Sequence, residues 1–225
     1  MEQDRTLQKV GLVLLIIGII DIGIMIYCIS NQMSYYSSFN IFAVLAGIFL
    51  MRGSLRTARF VASFSAFLIS SFIGLLLFFP LIYPPSLSEA YLKLRTGEVT
   101  FNLVLTILVI AFLVWVYRSL TSKPVHDLME QMGIEYKSFR RNPATGFWAG
   151  GFLAIVTLLV FCTMSNYGET AEEAKQRAIS QTGPGYDYFV SSLNTSSSSR
   201  GNFVHAVVTA YNDKEIKHVK VEWSE

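Results

Sequence analysis

Long apolar runs alternate with short polar segments from the N-terminus to Met164. They are Val10–Ile29, Tyr36–Met51, Phe60–Tyr83, Phe101–Tyr117 and Phe147–Met164. A helix needs about 20 apolar residues, and no fewer than about 17, to cross the hydrocarbon core of a bilayer. Four runs reach that length, and the second does so only when the stretch from Tyr35 to Phe39 is counted. The pattern predicts a mainly α, integral membrane protein: a five-transmembrane-helix bundle with spans at 10–29, 36–51, 60–83, 101–117 and 147–164.

Beyond Met164 the period changes. Thr170-Ala-Glu-Glu173 has the spacing of a capping box, and Ala171, Ala174, Ala178 and Ile179 fall on one helical face ahead of Gly183-Pro184-Gly185. Three alternating stretches follow, Tyr186–Leu193, Phe203–Tyr211 and Glu215–Trp223, each with the period-two signature of a strand. Ser196–Ser199 reads as a flexible hairpin loop and Asn212-Asp213 as a tight turn. Residues 165–225 are therefore expected to form a small extracytoplasmic α+β domain, one helix on a three-stranded antiparallel sheet. A unit that small buries too little of its own surface. It is expected to lean on the outer loops, the membrane or a second copy. The element order resembles that of assembly-factor domains tethered to energy-transducing membranes, which implies a role in complex assembly.

Charge gives the bundle a direction. Arg5 and Lys9 precede the first span, Arg52, Arg56 and Arg59 fill the second connection, and Arg118, Lys123, Lys137, Arg140 and Arg141 fill the fourth. The first connection is uncharged, and the third offsets Lys93 and Arg95 with Glu89 and Glu98. Cationic loops stay in the cytoplasm. This places the N-terminus inside, the C-terminus outside, and the protein in the cell membrane as a multi-pass chain.

The connections carry elements of their own. In the cytoplasmic loop 118–146, Val125, Leu128, Met129 and Met132 have helical spacing before Gly133, an amphipathic helix expected to lie on the inner leaflet. Asn142-Pro143 is expected to cap the fifth span. On the outer side, Ser86-Leu-Ser-Glu89 has capping-box spacing, with Leu87, Tyr91 and Leu94 on one face of a short interfacial helix. Composition agrees: 52% of residues are hydrophobic and 15% charged, against about 25% charged in soluble domains. A net charge of +2, spread along loop edges, argues against nucleic acid as a partner.

Candidate chemistry is sparse. Asp21 lies within the first span, where a charge costs at least about 2.5–3.5 kcal/mol. It is expected to hydrogen-bond a hydroxyl of Ser70, Ser71, Thr106 or Thr157, the alternative being a proton- or cation-carrying role. Ala58, Ala62, Ala66, Ser70 and Gly74 recur every fourth residue in the third span, the small-residue spacing that lets helix backbones approach. Gly11, Gly18 and Gly23, and Ala43, Ala46 and Gly47, are expected to supply the facing grooves. Cys28 and Cys162 form no disulfide framework, and His126, His205 and His218 have no ligand spacing. No metal, cofactor or catalytic residue is expected.

These features predict a non-catalytic integral membrane protein presenting a small extracytoplasmic interaction module, in envelope or membrane-complex assembly. Tyr186, Tyr188, Phe203, Tyr211 and Trp223 are its expected partner surface. Its partners would be the lipid bilayer and a membrane or extracytoplasmic protein, or a second copy. A small-solute or proton-coupled transporter using Asp21, and a membrane sensor with a ligand-binding tail, are the alternatives.

Overall fold

A computed structural model describes residues 2–33, 35, 40–131, 136–164, 168–198 and 201–224. The order is α1 (Glu2–Ser30), α2 (Asn40–Met51), α3 (Leu55–Ile82), α4 (Pro85–Leu94), α5 (Thr96–Leu120), α6 (Lys123–Gln131), α7 (Tyr136–Met164) and α8 (Glu169–Thr182), then β1 (Asp187–Ser198), β2 (Gly201–Tyr211) and β3 (Ile216–Ser224). The fold is mostly helical and closes on a three-stranded antiparallel sheet. Three stretches are long and apolar enough to cross a membrane: Arg5–Ser30, Leu55–Phe78 and Thr96–Gln131. Among the described residues, Ile41–Met51 and Ala144–Val160 are shorter apolar helices.

The chain forms two compact units, Met1–Ile73 with Leu108–Phe152, and Gly74–Ile107 with Leu153–Glu225. The unit containing the tail thus also takes in α4 and parts of α3, α5 and α7, and the compact units do not part at 164/165.

In the first unit, the core gathers Leu7, Val10 and Leu14 of α1, Ala46 and Leu50 of α2, Ala58 and Ala62 of α3, and Val116 and Leu120 of α5. α6 completes it. Val125 and Met129 are fully or almost fully buried in this cluster, with Leu128 packed against it, and α6 contacts α1. The amphipathic face expected on the membrane surface is therefore spent on the protein's own core. Met132 and Gly133 lie outside the described residues. α2 and α3 are joined by a tight turn in which Gly53 takes φ 77°, a left-handed conformation that side chains disfavour. α7 runs through Asn142 and Pro143 instead of starting there. A proline deletes one N–H donor, and the helical ladder continues on both sides of it.

The second unit centres on the sheet, in strand order β1-β2-β3. Val204, Ala206, Val208 and Ala210 of β2 and Val219, Val221 and Trp223 of β3 pack against Ala171, Ala174 and Ala178 of α8. Ile179 is 40% exposed and leaves that face. A bulge between Val190 and Ser192 places Ser191 as the extra residue in β1, and the pairing resumes with Ser192 opposite Val207. The serine run is strand as far as Ser198, which pairs with Gly201, so Ser196–Ser198 is no flexible loop. Ser199 lies outside the described residues. The β2–β3 turn is held by Asn212, whose Oδ1 accepts the N–H groups of Lys214 and Glu215, each at 2.9 Å.

Neither predicted capping box forms. α4 starts at Pro85, whose fixed φ suits the first helical position, and no side chain caps it. Gly168 occupies the N-cap of α8, two residues ahead of Thr170, which lies inside the helix.

Candidate functional site

α4 packs on the second face of the sheet. Leu87 and Ala90 bury themselves against Phe189 and Tyr211, with Tyr83, Tyr91 and Ile216 around them. The Tyr83 and Phe189 rings sit 5.7 Å apart. Because the helix begins at Pro85, Ser86 is released from capping, and its hydroxyl meets that of Tyr211 at 2.9 Å. At the centre of this interface Thr209 is buried, with its hydroxyl bonded to Ser191 and, at 3.1 Å, to His218 Nδ1. Tyr91 lies at the same contact. Burial pushes its phenol above the usual value, and the neighbouring Tyr83 acts in the same direction.

Beside this contact lies a cleft of about 450 Å³, bounded by Ser86, Glu89, Asp187, Tyr211, Asn212 and Asp213. Glu89 pairs with Lys93 at 2.8 Å, and that hydrogen bond holds its carboxyl below the usual range. At the edge of the cleft, Lys217 bonds both Glu215 and, at the same 2.7 Å, the hydroxyl of Tyr186, itself a lining residue of the cleft. Its bond to Glu215 lowers that carboxyl's pKa and raises its own. Among the described residues no group of three or more His, Cys, Asp or Glu is placed to hold a metal ion.

The predicted partner residues separate. Tyr211 is buried under α4, and Trp223 is buried beside α8 with the Arg177 guanidinium 5.0 Å from its ring. Tyr186 and Tyr188 are half-buried against the α8 core, and Tyr188 donates to the Gly183 carbonyl. Tyr211 and Trp223 are therefore core residues rather than partner surface, because the sheet has helices on both faces and not on one. Phe203 alone of the five is exposed, at 37%. It shares a face with His205, which meets Glu222 across the strands at 3.1 Å. This is the end of the face remote from the Tyr211 contact with α4.

Asp21 is half-buried in α1, and the Tyr35 hydroxyl donates to its backbone carbonyl at 3.4 Å. Three of the four hydroxyls proposed as its partners donate to carbonyls: Ser70 to Phe147, Ser71 to Phe67, and Thr106 to Asn102. Asp21→Asn preserves a half-buried polar group of the same size. Expected: unchanged abundance and unchanged cellular phenotype; loss of phenotype at normal abundance would move the function to this carboxylate.

The later part of the small-residue stripe of α3, from Ala66 to Gly74, faces α7, whereas Ala58 and Ala62 join the core with α1, α2 and α5. Ala58, Ala62 and Ala66 are fully buried. A Cβ on Gly146 would strike the Ser63 carbonyl, one on Gly150 the Phe67 carbonyl, and one on Gly74 the Ala154 side chain. Gly11 and Gly47 instead face each other, each 2.7 Å from the other's carbonyl oxygen when a Cβ is added. Cys28 is a free thiol, and the side chain of Cys162 lies outside the described residues.

No protein-family model, curated protein or solved structure matches this chain.

Proposed function

We propose that this chain is an integral membrane protein of five spans, N-terminus in the cytoplasm, which presents the α4–α8–sheet module outside and works through protein contacts made by that module. Exposed apolar side chains support the membrane part. Ile16, Ile19, Ile20 and Ile24 of α1 and Leu103, Val104, Leu105 and Leu108 of α5 are each 45–61% exposed. A continuous apolar surface of this kind is unfavourable in water and natural against lipid. Spans two and five are short as apolar helices, 41–51 and 144–160, and a bilayer accommodates a short span by thinning locally or by flanking side chains reaching to the interface.

The observation that carries the functional reading is the half-open face of the sheet. α4 covers the end with Phe189 and Tyr211, and the other end exposes Phe203, His205 and Glu222. An exposed aromatic flanked by polar side chains is the composition of a contact hot spot. The outer edge of β3 adds unpaired backbone groups, guarded by Lys217 and Lys220. A role in assembling a membrane or envelope complex fits a module built for contact.

Purification from mild detergent tests this. The native chain is expected to bring down a stoichiometric protein partner, and Phe203→Ala with His205→Ala to lose it at least tenfold, about 1.4 kcal/mol, with the chain's thermal stability unchanged. Equal recovery by both forms overturns the assignment of this face.

A further inference from the structure

We infer that the groove between α2 and α3 is a binding site for an anionic phospholipid, the phosphate held at Arg56 and one acyl chain laid over Phe60, Phe42 and Leu45. The inference rests on the membrane reading above and adds a ligand to it. The groove measures about 370 Å³ and lies wholly within the first compact unit. Its walls are Phe42, Leu45 and Phe49 from α2 and Phe60 from α3, and its polar lining comes from Arg56 and Thr57 at one end.

The order of these residues matches the order of groups in a phospholipid. Positions 56, 60 and 64 recur every fourth residue and so share one face of α3, and 42, 45 and 49 share one face of α2. Charge therefore sits at the turn between the helices, and aromatic surface follows along α3 away from it. The rings form a continuous floor: Phe42 and Phe64 are 4.9 Å apart, Phe42 and Phe60 5.8 Å, and Phe60 and Phe64 are stacked at 6.2 Å. Phe60 is 57% exposed, Leu45 50% and Phe49 46%, so this floor is open to an occupant.

Charge selects which lipid. Arg56 is exposed and makes no ion pair among the described residues, and Arg52 is exposed on the turn beside it. A guanidinium matches phosphate oxygens with paired N–H donors, and two of them close together favour a net-negative headgroup over a zwitterionic one. In the proposed topology this turn is cytoplasmic, on the side where anionic lipid attracts such cations.

The test uses the full-length protein in neutral detergent, read by native mass spectrometry with phosphatidylglycerol and phosphatidylcholine of identical chains. The native protein is expected to retain phosphatidylglycerol about thirtyfold better, the ratio given by about 1 kcal/mol for each of the two cations. Arg56→Gln should cut that preference to about fivefold, Arg118→Gln should leave it intact, and Phe60→Ala should weaken retention of both. Equal retention by the native protein, or an unchanged preference in Arg56→Gln, overturns the proposal. So does full displacement of the lipid by millimolar inorganic phosphate, which would mean a phosphate site without a chain, or a homodimer that retains no lipid. Extraction of the expressed chain from membranes by alkaline carbonate would defeat the membrane reading itself. A chain that stays in the membrane but shows no preference defeats only the lipid site.

Discussion

Gly150→Leu is expected to destabilise the fold strongly, while Gly151→Leu, one residue along the same helix, is expected to be nearly silent. At Gly150 a Cβ meets the Phe67 carbonyl and the hydroxyls of Ser70 and Ser71, whereas at Gly151 it meets nothing within 4 Å. The close approach at Gly150 is also where the two helices bond. Ser70 donates to the Phe147 carbonyl at 2.8 Å, and Ser71 lies 3.3 Å from the Gly150 carbonyl. Leucine must therefore separate two backbones and break these bonds together. Overpacking alone costs about 1–3 kcal/mol, and each interhelical bond adds about 0.6 kcal/mol in a membrane setting. The sum is about 2–4 kcal/mol, a large share of the stability of an ordinary domain. Detergent-solubilised folded yield and melting temperature read the difference. Equal behaviour of the two variants would mean that α3 and α7 do not cross at Gly150.

A fragment beginning at Gly168 is expected not to fold by itself. The sheet buries side chains on both faces, and α8 covers one of them. Without α4 the fragment exposes Phe189 and Tyr211, both buried in the full chain. Phe189→Ala in the full chain should lose about 3–5 kcal/mol from the same contact, the usual cost of truncating a buried phenylalanine. The checks are protease resistance of the module in the full-length variant and amide dispersion in the fragment's NMR spectrum. A monomeric fragment with a well-dispersed spectrum would show that α4 is dispensable.

These outcomes also show where sequence patterns end. The strands and α8 were legible because period-two alternation and an alanine stripe leave few alternatives, and Val204, Ala206, Val208 and Ala210 do share the α8 face. Thr209 and Phe189 were not, because the second face of the sheet alternates polar with apolar, as a wet face does. Only the covering helix, nearly a hundred residues upstream in sequence, makes it a core. α6 was misplaced for a related reason. An apolar stripe on nine residues suits a bilayer surface and a protein core equally, and Leu7, Val10 and Leu120 happened to supply the core. The stripe of α3 was visible, but its partner was not. Starting the fifth span at Phe147 cut Gly146 from the Gly146-Gly150-Ala154 series that faces Ser63, Phe67 and Gly74. The cleft beside Ser86 joins residues from three distant segments, and no local pattern announces it.

The central claim is that the module stands outside a membrane on helices whose charged connections stay within. The most direct measurement is a reporter active only outside the cytoplasm, fused in separate chains after Ser224 and after Gln131. The predicted result is activity after Ser224 and none after Gln131, in chains that resist alkaline extraction from membranes. Activity after Gln131, or a chain recovered in the soluble fraction, would contradict the account.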